Sequence, residues 1–192
     1  MFSGIVEGQG ILSKIRKGRS GARVWIQHDG LGSGVKIGHS EAVDGCCLTV
    51  VANRQKTFEF DVLNETWERT TLSRARPPVR VNLERAMRCG DPVGGHFVTG
   101  HIDGVGKIAS SRRKGADIYL EVEAPRSFLR WILPKGSVAI DGVSLTVAKA
   151  GKKSFSVWLI PHTLKLTTLG WKRQGDDVNL EADMLAKYAQ KS

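Results

Sequence analysis

The sequence predicts an all-β chain in which two small, closed antiparallel barrels follow one another and a short helix comes last. The stretch Val43–Val50 recurs as Ile140–Val147, 97 residues later, in a chain of 192 residues. Two copies at so long a period indicate a duplicated domain rather than a solenoid. Within each copy, short apolar runs separated by turns are typical of a small barrel, whose closure removes unpaired strand edges.

The repeat continues along nearly the whole chain. Gly4–Gly10 matches Gly100–Gly106 at an offset of 96. Three later stretches have counterparts at an offset of 97, and they are Phe58–Thr66, Thr70–Leu72 and Val81–Glu84. Residues 89–96 contain glycines and a proline, as linkers do. We therefore predict a first barrel over 1–90, a second over 91–183 and a C-terminal helix over 184–192.

Runs of β-branched and aromatic residues after Gly-rich turns predict strands at 23–27 and 117–122. Phe58, Phe60 and Val62 alternate, so their side chains share one face of a strand.

Turns and helices complete this pattern. Asp44-Gly45 and Asp141-Gly142 lie between apolar runs and predict two tight hairpins. Short helices are expected over 65–72, 126–133 and 162–169, and a last helix over 184–190.

Composition narrows the range of functions. The net charge of +10 is compatible with a nucleic-acid-binding function. The basic clusters, however, lie beside Gly or Ser, where hairpin tips are expected, and no exposed aromatic residues are interleaved with them, as single-strand binding requires. The three cysteines form neither a disulfide framework nor a zinc-ligand spacing. We expect a cytoplasmic protein with no membrane span, signal peptide, metal or nucleic acid.

The two copies differ at chemically informative positions. Cys47 corresponds to Ser144, and His101 corresponds to Ile5. A bivalent binding protein would need no such difference. A reaction between two like molecules does need one, because donor and acceptor require different proton-transfer groups.

Cys47 is the leading candidate, because a thiolate is a strong nucleophile and a thiol can pass a proton. The alternative is a small buried apolar side chain. Cys46 should point to the opposite face of the strand and be structural. His101, with a pKa near neutrality, is the natural partner for Cys47 or for a substrate proton. For His96 we leave open whether it touches ligand or holds the turn at 94–95.

Polar residues two apart on a strand face the same side. Cys47 and Thr49, and likewise Ser144 and Thr146, would therefore form one polar pocket on each barrel. The alternative is a polar stripe that faces solvent.

Six stretches also match one family in its order and cover the whole length. They are Met1–Glu7, Ser40–Val50, Val81–Ala86, Gly94–Gly104, Ser137–Val147 and Leu159–Leu164. On these motifs the chain resembles riboflavin synthase of the alpha-chain type. The resemblance implies two six-stranded Greek-key barrels and a cofactor-free dismutation of two 6,7-dimethyl-8-ribityllumazine molecules to riboflavin and 5-amino-6-ribitylaminouracil. It also implies a homotrimer, with each site between barrels of neighbouring subunits and assembly aided by the last helix, and association with lumazine synthase.

The resemblance implies roles for particular residues. The catalytic set is Cys47, His101, Ser40 and Asp141, although Asp141 is equally well explained as the first residue of a turn. The substrate-binding set comprises Gly4, Ile5, Val6, Cys47, Leu48, Thr49, Asp61, Val62, Leu63, Asn64, Glu65, Thr66, Gly100, His101, Ile102, Lys135, Ser144, Leu145, Thr146, Leu159, Ile160, Pro161, His162, Thr163, Leu164 and Asp183.

Two positions depart from the family pattern. Asp44 stands where Asn is common, and Glu41 lies in an unusually polar run. Two rival functions remain, and they are a non-catalytic lumazine- or flavin-binding optical protein of the same fold and a basic nucleic-acid-binding barrel.

Overall fold

The computed structural model describes residues 1–54 and 56–190. The first repeat forms a closed antiparallel barrel in the spatial order β1-β2-β5-β4-β3-β6. Its strands are β1 (Gly8–Lys17), β2 (Gly21–His28), β3 (Ser40–Val43), β4 (Cys46–Arg54), β5 (Thr57–Leu63) and β6 (Val79–Arg85). Alternate residues of these strands, Phe58 and Phe60 among them, fill the interior.

The second repeat forms a second closed barrel in the order β10-β11-β8-β7-β12-β9. Its strands are β7 (Gly104–Lys114), β8 (Asp117–Glu123), β9 (Ser137–Ile140), β10 (Val143–Ala150), β11 (Ser154–Leu159) and β12 (Asp177–Ala182). The helices are α1 (Asn64–Arg69), α2 (Arg126–Leu129), α3 (Pro161–Leu166) and α4 (Met184–Ala189). The predicted fold class is confirmed. The end of the predicted last segment, 191–192, lies outside the described residues.

The predicted hairpins form, but the helices are shorter than predicted. Asp44 and Gly45 both have positive φ, 43° and 78°, as a two-residue hairpin turn requires. The helix expected over 65–72 stops at Thr70, whose backbone is extended and whose hydroxyl donates to Thr66 O (2.8 Å). Beyond α2 the chain continues as tighter turns, in which Trp131 N donates to Phe128 O.

The segments that lead into β1 and β7 are exchanged between the barrels. Val6 packs in the core of the second barrel, and Ile102 packs against the core of the first. Phe2 and Val98 form a reciprocal bridge where the two segments cross, with N···O distances of 2.7 and 3.0 Å. Each barrel is therefore covered in part by residues from the other repeat.

The two barrels meet back to back at their tight hairpins, around a pseudo-twofold axis. A Cβ atom at Gly45 would lie 2.6 Å from Gly142 N, so the two turns touch through backbone alone. Two buried asparagines, one from each repeat, make equivalent hydrogen bonds across this junction. Each donates to a turn carbonyl and accepts from a backbone N–H of the other repeat. These bonds are Asn82 Nδ2 to Asp141 O (2.8 Å), Asn179 Nδ2 to Asp44 O (2.9 Å), Thr168 N to Asn82 Oδ1 (2.7 Å) and Thr71 N to Asn179 Oδ1 (2.8 Å).

One buried carboxyl group lies on β3 of the first barrel and lines a cavity. Glu41 is 1% exposed, and its Oε2 has no hydrogen-bond partner among the described residues. Burial, with a smaller contribution from the charge of Glu7, raises the pKa of Glu41 to about 8 against the opposing effect of Arg85. The corresponding residue of the second barrel is the buried Val138.

We predict that Gly45→Ala destabilises the protein by ~3 kcal/mol or more, because the new methyl group would push the two turns apart at a left-handed backbone position. Gly115→Ala is the matched control, since Gly115 also has a positive φ (63°) but no atom within 4 Å of an added Cβ. It should cost only about 1 kcal/mol. Urea unfolding measures both, and equal losses would contradict the contact.

We also predict that Glu41→Val stabilises the protein increasingly as pH rises. The folded-state pKa lies above the unfolded value of about 4.3, so the native protein loses stability as pH rises from about 4 to 8. Valine removes that loss. Because each pKa unit corresponds to ~1.4 kcal/mol, the gain should grow between pH 5 and pH 9 by on the order of 4 kcal/mol. Glu41→Gln should show the same pH trend, and a pH-independent difference for both variants would contradict the burial of a titrating carboxyl.

Candidate functional site

Each barrel has an opening between two neighbouring strands. The pairing of β4 with β5 runs from Arg54 and Thr57 only to Val50 and Phe60. Beyond that point β4 continues along β3, and β5 continues along β2. Strands β10 and β11 separate in the same way beyond Val147 and Val157. We call the two openings the first cleft and the second cleft.

The strand residues beside each cleft alternate as the sequence predicted. Cys47 is half-buried and Thr49 exposed on the outer face of β4, and Ser144 and Thr146 take the same places on β10. Cys46 points into the first core, where burial raises the pKa of its thiol to about 12.

His101 belongs to the second repeat in sequence but lies beside the first cleft. Gly100 O accepts from Cys47 N (2.9 Å), and a Cβ at Gly100 would lie 2.5 Å from Cys47 Cβ. His101 follows directly and is exposed, and Ile102 anchors the segment on the first core. The exchange of the lead-in segments therefore places His101 beside the barrel of Cys47.

The second cleft has its own histidine. Gly4 O accepts from Ser144 N (2.8 Å), as Gly100 does for Cys47. His96 Nδ1 lies 2.7 Å from Ser144 Oγ, and His96 Nε2 is buried with no partner in the described part of the chain. Burial lowers the pKa of His96 against the opposing charge of Asp183, which favours the neutral ring. The sequence left this contact open.

The loops after β5 and β11 border the other side of each cleft. The Asp61 carboxylate is held by Arg23 at 2.7 and 2.8 Å, which lowers its pKa. Leu63 is 72% exposed and its counterpart Ile160 is 54% exposed, so each cleft has an unpartnered apolar rim. Thr66 O accepts from the Thr70 hydroxyl.

The second loop repeats this arrangement. Thr163 O accepts from the Thr167 hydroxyl (2.7 Å), and Leu164 packs on the second core. Lys135 is exposed in a left-handed conformation (φ 67°), and its N–H donates to Val147 O beside the second cleft. The remaining loop residues predicted to bind substrate are exposed or half-buried, and they are Asn64, Glu65, Pro161 and His162.

Several predicted binding residues point away from the clefts. Their side chains fill the barrel cores, so only their backbone atoms can reach a ligand on the outer face. These residues are Val6, Leu48, Val62, Leu145 and Leu159.

Among the predicted catalytic residues, Asp141 does not reach a cleft. It is fully buried in the junction between the barrels, where Oδ1 accepts from Asn179 N (2.7 Å) and Lys172 Nζ lies 3.0 Å from Oδ2. We therefore assign it a structural role, in agreement with the turn interpretation. Ser40 lies one strand away from the first cleft, because it pairs with Thr49 across β3 and β4, and it lines a cavity of about 660 Å³ whose lining does not include Cys47 or His101.

Asp183 lies near the second cleft but already has a structural bond. Its Oδ1 accepts from Leu185 N (2.9 Å) and caps α4. Within residues 1–54 and 56–190, no group of three or more His, Cys, Asp or Glu side chains is placed to hold a metal ion. No helix in the described part of the chain is long and apolar enough to cross a membrane.

Comparison with known proteins agrees with this architecture. The model of the Lumazine binding domain family matches twice, over residues 3–86 and 99–183. Riboflavin synthase of Actinobacillus pleuropneumoniae is 42% identical over 98% of this chain and 87% of its own length. That of Mycobacterium bovis is 41% identical over 100% of this chain and 97% of its own.

Solved structures of LumP are similar in fold. The complex with 6,7-dimethyl-8-(1'-D-ribityl)lumazine superposes with a TM-score of 0.86 at 28% identity, covering 95% of this chain and 99% of that one. The riboflavin complex gives 0.89 over the same shares. With two matching domains that contain both clefts, the chain belongs to the lumazine-binding domain family.

Proposed function

We propose that this protein is a riboflavin synthase, an enzyme that transfers a four-carbon unit between two molecules of 6,7-dimethyl-8-ribityllumazine. The products are riboflavin and 5-amino-6-ribitylaminouracil. The observation that carries the proposal is the chemical difference between two otherwise equivalent clefts. Cys47 and His101 border the first, and Ser144 bonded to His96 borders the second. Two identical substrates thereby meet different proton-transfer groups.

The reaction needs no cofactor, because the two products together contain all the atoms of the two substrates. The C7 methyl group of one lumazine is acidic, since its anion delocalises into the ring. His101 removes that proton, directly or through a water molecule. A nucleophile, the Cys47 thiolate, the Ser40 hydroxyl or water, adds to C7 of the second lumazine and activates it for carbon–carbon bond formation. Elimination then releases both products.

Binding within the clefts uses backbone as well as side chains. Separated strands leave main-chain N–H and C=O groups without a ladder partner, and the polar edge of a pyrimidine ring can pair with such groups. The exposed Thr49 and Thr146 hydroxyls lie on the same faces. Holding two rings in register removes a bimolecular entropy cost and supplies much of the rate acceleration.

We further propose a homotrimer in which the first cleft of one subunit faces the second cleft of its neighbour. Exposed apolar side chains support this assembly. Leu185 and Tyr188, three residues apart on α4, are 63% and 68% exposed, so one face of the helix has no partner among residues 1–54 and 56–190. We place the enzyme in the cytoplasm, a proposal supported by its three cysteines, all of which are free thiols.

The alternative is a non-catalytic optical protein of the same fold. LumP, whose complexes with 6,7-dimethyl-8-(1'-D-ribityl)lumazine and with riboflavin have been solved, has a similar fold. The His96–Ser144 contact favours the enzyme, because a protein that only binds ligand has no need of a buried proton-transfer pair in its second cleft.

Incubation of the pure protein with 6,7-dimethyl-8-ribityllumazine alone tests the proposal. We expect riboflavin absorbance and fluorescence to appear. Cys47→Ser and His101→Gln should each lower turnover at least ~tenfold while the lumazine still binds. Cys89→Ser, an exposed linker cysteine, is the control and should keep full turnover. Tight binding without product would establish the optical protein, and full turnover in both variants would remove these residues from the mechanism.

Assembly is tested separately. Leu185→Arg combined with Tyr188→Glu should convert the trimer to monomers and abolish turnover, because each reaction site needs two subunits. Trp171→Arg, another exposed apolar residue at 66%, should leave the trimer intact. Analytical ultracentrifugation measures the mass, and a fully active monomer would show that one chain suffices.

A further inference from the structure

Part of the excess positive charge, four of the net +10, gathers around a groove that the proposed reaction does not use. The groove has a volume of about 1030 Å³ and lies on the second barrel. The β10–β11 turn at its edge is joined to the second cleft by β11, so groove and cleft lie at opposite ends of that strand, roughly 17 Å apart. We call it the basic groove, and its charged residues are Arg74, Lys107, Glu123, Arg126, Arg130, Lys152, Lys153 and Asp177.

Only part of this charge is balanced by neighbouring acids. Arg74 and Lys107 share Asp177, at 2.7 and 3.0 Å. Arg126, Lys152 and Lys153 make no ion pair with any residue in 1–54 or 56–190. The groove therefore holds six cations against two carboxylates, and one of these carboxylates is already shared.

The described residues of the first barrel, 1–54 and 56–90, show no such arrangement at the equivalent place. There Lys56, the counterpart of Lys153, pairs with Asp29 at 3.1 Å. The stretch 29–33 contains no basic residue, whereas the second barrel has Arg126 and Arg130 in the corresponding segment. A cation–anion pair has thus been replaced by a cluster of like charges. Such a cluster is unfavourable unless an anion occupies it.

The walls of the groove also provide apolar surface. Val105, Ala124 and Leu129 are half-buried there, and Pro125 lies between them in the lining. No aromatic side chain lines it, so stacking of successive bases, as in single-stranded nucleic-acid binding, has no platform. The volume matches a single small ligand.

We propose that the basic groove binds a nucleotide, with its phosphates on Arg126, Lys152 and Lys153 and its planar base on the apolar wall. Charged hydrogen bonds from arginine and lysine are the usual means of holding phosphate. This site is separate from both clefts and stands independently of the proposed reaction.

Calorimetric titration of the full chain with ADP at low ionic strength tests this proposal. We expect saturable binding of one ADP per chain, no binding of adenosine, and binding of pyrophosphate at least ~tenfold weaker than that of ADP. Lys152→Glu combined with Lys153→Glu should weaken ADP binding at least ~tenfold, since two cations become anions in an exposed turn. Lys14→Glu combined with Lys17→Glu makes the same charge change on the first barrel and should alter binding less than ~twofold.

Other outcomes would overturn the proposal. Absence of saturable ADP binding, or equal weakening by both double variants, would remove the site. Pyrophosphate binding as tight as ADP would leave only an unspecific anion cluster, and adenosine binding as tight as ADP would exclude any role of the phosphates. Tighter binding of a single-stranded oligonucleotide than of ADP would point to nucleic acid instead.

Discussion

The rest of the structure depends on the back-to-back contact of two glycines. Gly45 and Gly142 let the backbones of the two hairpin turns touch, and no larger residue fits there. This close approach brings Asn82 and Asn179 within reach of the opposite turns, where each satisfies buried backbone groups that would otherwise be unpaired. The contact therefore fixes the relative position of the two barrels, and with it the position of both clefts.

The same pseudo-symmetry explains how equivalent clefts acquire different chemistry. The lead-in segments cross at Phe2 and Val98, so the strand residue of each barrel meets a segment from the other repeat. Cys47 thereby meets Gly100 and the exposed His101, whereas Ser144 meets Gly4 and the buried His96. The backbone hydrogen bonds from Cys47 and Ser144 are equivalent across the pseudo-twofold axis, whereas the side chains around them differ. The two clefts can therefore differ in chemistry while the two barrels keep the same fold.

Most of the fold was predictable because it follows from local patterns. Alternation placed Cys46 inside and Cys47 outside, and the Asp-Gly pairs gave both hairpins. The segment exchange was not predictable, because no residue type or spacing signals which barrel a lead-in segment covers, and the sequence alone therefore does not show which barrel His101 borders. The packing of Lys14 and Arg16 over the half-buried Trp25 ring, at 5.0 and 5.6 Å, was not predictable either, because Trp25 lies on the neighbouring strand and strand register is not visible in the sequence.

Lys172 has no basic counterpart in the first repeat, and it supplies the positive charge at the junction between the barrels. Two aspartates, Asp44 and Asp141, are buried at the junction, and burial raises the pKa of both, that of Asp44 to about 8. Lys172 supplies one positive charge there, and the residue 97 positions earlier is Ala75. The raised pKa of Asp44 favours its neutral form, and Lys172 lies within 3.0 Å of the Asp141 carboxyl group. One lysine is therefore enough at this junction, because a neutral Asp44 needs no cation.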